Sequence, residues 1–265
     1  MPLVFIQYIL SLISGSLVGF SLGLIGGGGS ILAIPLLLYF VGYDHPHIAI
    51  GTTALAVGIN AYLNLIPHAL HHNVVISKGI YFTLPGIVGV IAGTELGLLT
   101  PGKSLLFFFA ILMIGIALLM IFRTRERKGP RTVKPPDVNR AGTNIPVVLV
   151  TGVAVGFASG YFGIGGGFLI VPGLLFSTDL PIIQAIGTSL MSVGTFGIVT
   201  AIRYAIAGKL NVIISVLFVL GGIGGGWIGT RISSRLPRRT LTYVFAVIII
   251  LVAIYMMVVN ISYVI

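Results

Sequence analysis

Ten continuous apolar runs, none of them alternating polar with apolar positions, set the first limit on what this chain can become. They lie at about 3–25, 30–41, 47–70, 75–99, 104–122, 145–162, 168–177, 181–207, 212–233 and 240–259. Hydrophobic residues fill 57% of the 265 positions and charged ones 8%, too few charges to cover a soluble domain. The solvent is therefore lipid, where every backbone N–H and C=O must be paired within its own segment or within a closed barrel. Continuous rather than alternating runs predict helices and exclude a barrel.

The formal charge of +10 would suggest nucleic acid in a soluble protein. Here the basic residues gather in loops between apolar runs, which fits membrane orientation better than a nucleic-acid surface, and no nucleic-acid partner is expected. With no cysteine present, disulfides, thiolate metal sites and cysteine catalysis are excluded. The first run lacks a basic leader and a small-residue cleavage site, so it reads as a retained span rather than a signal peptide.

The chain repeats itself. At an offset of about 137 residues, Gly15, Gly19, Phe20 and Gly23 fall on Gly152, Gly156, Phe157 and Gly160, and Pro35 falls on Pro172. The offset then becomes about 136, with Ile50, Gly51 and Thr52 on Ile186, Gly187 and Thr188, and Gly89, Gly93, Thr94 and Pro101 on Gly225, Gly229, Thr230 and Pro237. Each copy holds five apolar segments, giving a first repeat over 1–122 and a second over 145–265. Between them, 123–144 carries seven basic residues with Pro130, Pro135 and Pro136, as a solvated linker does. If the linker is cytoplasmic and all ten segments count as crossings, twelve of the 15 Lys and Arg residues face the cytoplasm. An odd number of crossings per copy inverts the copies relative to each other and places both termini outside. The expected fold is an all-α, polytopic integral membrane protein of two inverted repeats of about five helical segments each, in the cell membrane.

Small residues recur every fourth position, at Gly15/Gly19/Gly23, Gly89/Gly93/Gly97, Gly152/Gly156/Gly160 and Gly221/Gly225/Gly229. Such faces let helix backbones approach closely in lipid, and packing within one protomer is the reading adopted.

Two glycine runs stand at matched places. Gly26, Gly27, Gly28 and Gly29 with Ser30 separate the first segment from a second of about twelve residues, and the run from Gly163 to Gly167, with Gly165 and Gly166, does so in the other copy. Twelve helical residues rise only about 18 Å, short of the roughly 30 Å hydrocarbon core. Shortened, glycine-interrupted segments at corresponding positions of two inverted copies point to a transporter's binding site. A helix beginning at Ser30 or Phe168 offers up to four unpaired amides and the positive end of its dipole, so an oxyanion can be held without a buried lysine. The runs are not a nucleotide P-loop, because no Gly-Lys-Ser/Thr follows.

A second matched pair, Thr52 and Thr53 against Thr188 and Ser189, supplies hydroxyls that either line a site or bond back to their own helices. Asn60 and Asn64, one turn apart, are polar lining or helix glue. Gln184 is a further candidate. Arg203 is either a counter-charge for the solute or a snorkelling side chain near a helix end. Glu95 alone among the carboxylates sits within an apolar segment, and this scarcity of acid leans the solute towards an anion. His68, His71 and His72 match an H-x-x-H-H box of membrane di-iron enzymes. Five histidines in all are too few for two metals, so no metal or cofactor is expected and the cluster reads as a loop feature.

The duplicated glycine runs, each followed by Pro35 or Pro172, together with the paired Ile-Gly-Thr-Thr/Ser elements, resemble the TauE/SafE sulfite exporter family over nearly the whole chain outside the linker. That resemblance implies a membrane transporter, not an enzyme, moving small sulfur oxyanions such as sulfite or organosulfonates, most naturally outwards. The site residues expected are Gly26–Ser30, Thr52, Thr53, Asn60, Asn64, Gly165–Gly167, Thr188, Ser189 and Arg203, and the partners expected are a small anionic solute and the bilayer. The competing readings are an anion channel and a membrane-embedded enzyme with a histidine-bound metal.

Overall fold

A computed structural model describes residues 5–25, 27–126, 144–165, 167–233 and 238–261. The described residues are helical with short connections: α1 (Phe5–Ile25), α2 (27–40), α3 (Pro46–Leu70), α4 (Ile76–Leu99), α5 (Gly102–Glu126), α6 (Ile145–Phe162), α7 (Gly167–Ser177), α8 (Ile182–Ile206), α9 (Val212–Ser233) and α10 (Arg238–Asn260). Eight of these are long and apolar enough to cross a membrane, and α2 and α7 are shorter. The protein is thus a multi-pass, all-helical membrane protein. Its outer faces carry bare apolar side chains such as Val88, 66% exposed, and Val150, 70% exposed, as a lipid-facing surface does. Hydroxyls such as those of Thr52, Thr83, Thr188 and Ser192 are turned inwards.

Packing ties the copies together rather than separating them. α1 lies along α9, α4 along α6, α3 across α8, and α5 along α10. Exchanging the copies (α1 with α6, α2 with α7, and so on) leaves this set of pairs unchanged. The glycine spacing explains the two tightest pairs. A side chain at Gly221, Gly225 or Gly229 would overlap α1 at Leu12, Ser16 or Phe20, so α1 and α9 run parallel with backbones touching. Gly152, Gly156 and Gly160 of α6 meet Phe82, Gly86 and Val90 of α4 in the same way. Close approach of this kind lets dispersion contacts act where no hydrophobic effect operates between helices.

The equivalents α3 and α8 run antiparallel, with Gly51 against Tyr204 and Lys209, Gly58 against Gly194 and Gly197, and Gly187 against His68 and Asn73. α1 and α2 form a hairpin. The amide of Gln7, near the start of α1, reaches the carbonyls of Val41 and Gly42 just past the end of α2, both at 3.5 Å. The second segment therefore brings the chain back to the end of the bundle where the first began. One end of the bundle gathers Gln7, Tyr43, Pro46, Thr100, Lys209 and Asn211; the other gathers His68, Asn73 and Gly187.

Candidate functional site

The two short segments differ in how they are wound. In α2 the glycines do not precede the helix; they are part of it, as a 3₁₀ turn over Gly27–Leu32, followed by a single α turn over Ala33–Pro35 and a π turn over Leu36–Phe40. Side-chain-free residues accept this tighter winding, and Pro35 brings no N–H to the ladder. The helix start thus lies at Gly27 rather than at Ser30, the start expected from sequence. Gly29 rests on the backbone of Ser21 and Leu22 in α1, and Ser30 is fully buried. The turn also packs against α7 and α8.

In the second copy the break is sharper. Gly163 closes α6 in the left-handed conformation (φ +67°), its N–H donating to Gly160 O and that of Ile164 to Ser159 O. These two bonds cap the last carbonyls of α6, as left-handed glycine ends commonly do. Gly165 is left-handed again (φ +64°), and α7 starts at Gly167, one residue before the expected Phe168. A methyl added to Gly165 would meet Val193 O and Val57 Cγ1 at 3.4 Å each. Val57 and Val193 sit midway along α3 and α8, where Gly58, Gly194 and Gly197 mark the crossing of those helices. The eleven residues of α7 rise about 17 Å, roughly half the hydrocarbon thickness. Gly26 and Gly166 lie outside the described residues.

The Ile-Gly-Thr elements act as paired latches. The N–H of Asn211, at the head of α9, donates to Thr52 Oγ1 at 3.0 Å, and the N–H of Val75, at the head of α4, donates to Thr188 Oγ1 at 3.0 Å. Gly51 and Gly187 allow the loop carbonyls of Lys209 and Asn73 to close against α3 and α8. Thr53 Oγ1 donates to Ala49 O (2.8 Å) and Ser189 Oγ to Ile186 O (2.7 Å), both within their own helices. Hydrogen bonds between membrane helices are worth about 0.6 to 1.7 kcal/mol. Thr52→Val and Thr188→Val should each lower the melting temperature by a few degrees in detergent. The two losses should add, because the latches stand at opposite ends of the bundle; a melt unchanged in both variants would show that the latches contribute nothing.

Asn60 is 2% exposed, with its side chain against Gly222 of α9 and Oδ1 without a partner. Asn64 donates to Asn60 O at 2.8 Å and lies beside Gly226. Arg203 forms an ion pair with Glu95 of α4, a partnership that sequence alone did not disclose. Among the described residues no group of three His, Asp or Glu is placed to hold a metal ion. A groove of about 450 Å³ between α5 and α6 is lined by Phe108, Ile111, Leu112, Tyr161 and Phe162. Its one hydroxyl, on Tyr161, lies 3.3 Å from Thr100 Oγ1, so the groove suits apolar matter rather than an anion.

The chain is thus a polytopic helical bundle with mirrored packing and a glycine break midway along its crossed helices. Residues 11–256 match the family described as "Sulfite exporter TauE/SafE". The chain belongs to the TauE/SafE family. Among its relatives is a probable membrane transporter protein of Xylella fastidiosa strain Temecula1, 49% identical over 244 residues that cover 91% of this chain and 92% of the relative. The probable membrane transporter protein YunE of Bacillus subtilis strain 168 is 24% identical over 93% of this chain and 96% of its own. A probable membrane transporter protein of Methanocaldococcus jannaschii is 26% identical over 94% of each. No solved structure matches the chain. This TauE/SafE protein is a membrane transporter.

Proposed function

We propose that the protein is a secondary transporter exporting a small sulfur-containing oxyanion such as sulfite or an organosulfonate. The reading is carried by one observation: the left-handed Gly165 breaks the chain midway along α3 and α8, at their crossing. Amides at Gly165 and Gly167, together with those of Gly27 and Gly28 that open the 3₁₀ turn, hold the anion there by N–H donation and helix dipole. Asn60 and Asn64 extend the polar lining from the crossing, Thr52 and Thr53 carry it towards one end of the bundle and Thr188 and Ser189 towards the other, and Arg203 lends positive potential from its place beside Glu95. The repeats 1–122 and 145–265, inverted relative to each other, rock about the α3/α8 crossing to give alternating access, with the linker 123–144 on the cytoplasmic side. The family's description names sulfite; the relatives' names go no further than transport.

The test is sulfite uptake into proteoliposomes by the Gly165→Ala variant. An added methyl meets its neighbours at ordinary contact distance, so the fold is retained, but a left-handed residue is lost to alanine and the amide is turned. Flux should fall at least about tenfold, a loss of some 1.4 kcal/mol in transition-state stabilisation. Uptake at the parent rate by a folded variant refutes the site. Saturation of the flux with sulfite separates this carrier from an anion channel.

A further inference from the structure

Four buried hydroxyls without a hydrogen-bond partner, Thr94 Oγ1, Ser159 Oγ, Thr200 Oγ1 and Tyr204 Oη, come from the last two turns of three neighbouring helices. All four residues are fully buried. α4 packs on both α6 and α8, which brings the three helix ends together. Thr94 Oγ1 lies against Gly160, and Ser159, next to it, supplies the carbonyl that caps Ile164. Tyr204 rests on Gly51, while the adjacent Ile50 touches Gly163. The four residues thus stand on the helix ends that meet where the chain leaves α6 for α7. Beside them stands Arg203, paired with Glu95 but with its Nε–H lacking an acceptor.

Interiors rarely leave a polar group unpaired, and each one left so works against the fold. Four on three helices converging at a helix break form a set of donors awaiting an acceptor. A sulfur oxyanion presents several acceptor oxygens to such a set. Neutral donors also suit a carrier better than a free cation, since a solute must be held weakly enough to leave. At the matched positions of the first copy, Leu22, Asn64 and His68 stand where Ser159, Thr200 and Tyr204 stand in the second, while Thr94 is matched by Thr230, so three of the four hydroxyls have no hydroxyl counterpart.

Resting on the carrier reading above, we infer that Thr94, Ser159, Thr200 and Tyr204 line the half of the solute path between the second glycine break and the bundle end that carries Lys103 and Lys209. Their hydroxyls take the oxyanion over from the glycine amides when α4, α6 and α8 part.

The absence of cysteine makes the test direct. Single cysteines at Ser159, Thr200 and Thr94 are exposed in proteoliposomes to a membrane-impermeant methanethiosulfonate reagent bearing a sulfonate, whose sulfur is attacked, with loss of methanesulfinate, only by a thiolate reached by water. Monodisperse Ser159→Cys, Thr200→Cys and Thr94→Cys proteins should react from the Lys103 side. Their rates should exceed at least tenfold that of a lipid-facing control, Val216→Cys, whose native side chain is 50% exposed. Rates no faster than the control at all three positions, or reaction only from the linker side, overturn the inference. A second readout is the KM for sulfite of Thr200→Val and Thr94→Val, expected to rise about tenfold with little change in maximal rate; wild-type KM in both overturns the role of the hydroxyls. Labelled cysteines in a parent protein that moves no sulfite would leave the path standing and reject the proposed solute. Unlabelled cysteines alongside a flux abolished by Gly165→Ala would reject the path and leave the carrier reading standing.

Discussion

Replacing Gly225 by leucine should abolish monodisperse protein, whereas the same replacement at the adjacent Gly224 should leave it unchanged. A Cβ at Gly225 would overlap the backbone of Ser16 and approach the backbone N of Phe20, while one at Gly224 meets nothing within 4 Å. The obstacle is main chain, so no rotamer change relieves it, and α1 and α9 must separate along the whole contact. Overpacking that side chains absorb costs about 1–3 kcal/mol. Here the separation also forfeits the dispersion contacts of Gly15, Gly19, Gly221 and Gly229, and no hydrophobic force between helices in lipid draws them back. A loss on the order of 5 kcal/mol consumes most of an ordinary folding free energy. Gly156→Leu in α6 should behave like Gly225→Leu, since its Cβ would overlap Gly86 of α4, and Gly115→Leu in α5 like Gly224→Leu. Detergent extraction followed by size-exclusion chromatography and a thermal melt reads the contrast. Equal profiles for Gly224→Leu and Gly225→Leu would show that the helices do not meet backbone to backbone.

That contrast also marks what the sequence could tell. The four-residue spacing of Gly221, Gly225 and Gly229 announced a close approach, and the duplication announced that it would occur twice. Neither named the partner, because a glycine face is complementary to any other helix surface, and α9 chose the first helix of the opposite copy. The glycine breaks were legible for a similar reason: loss of side chains and a shortened segment leave a trace in composition alone. Their winding was not. α2 takes its glycines into a 3₁₀ turn, while α6 ends on the left-handed Gly163, a difference set by what each run packs against. Thr52 and Thr188 stood out as a matched pair, yet the backbone N–H groups that donate to them, those of Asn211 and Val75, lie more than a hundred residues away. One signal was available: Asn211 and Val75 are themselves separated by the repeat offset. Ser159, Thr200 and Tyr204 escaped notice because a search for matched pairs passes over hydroxyls whose counterparts are leucine, asparagine or histidine; Thr94, matched by Thr230, was visible only as part of the repeat.

Glu95 and Arg203 were each visible in sequence as lone charges, and their union in space predicts an asymmetric response to removal. Both side chains are partly exposed, 44% and 37%, near the ends of α4 and α8, so the pair is neither a free surface bridge nor a sealed one. Buried pairs lose about 3–5 kcal/mol when one partner is deleted, and exposed pairs contribute about 0–1. An intermediate loss of about 2 kcal/mol is expected for Arg203→Leu, which strands a short carboxylate against apolar neighbours. Glu95→Leu should cost less, because the long arginine stem can carry its charge to the interface. The double variant should recover most of the stability, since two unpaired charges have gone and an apolar contact has replaced them. Transport should answer differently from stability. Glu95→Gln releases the positive charge of Arg203 beside the hydroxyl set, so KM for sulfite should fall several-fold while turnover slows, the anion now being held by a full charge instead of neutral donors. A double-mutant cycle with no coupling in the melts, together with an unchanged KM in Glu95→Gln, would mean that the pair neither holds α4 to α8 nor restrains the charge at the path.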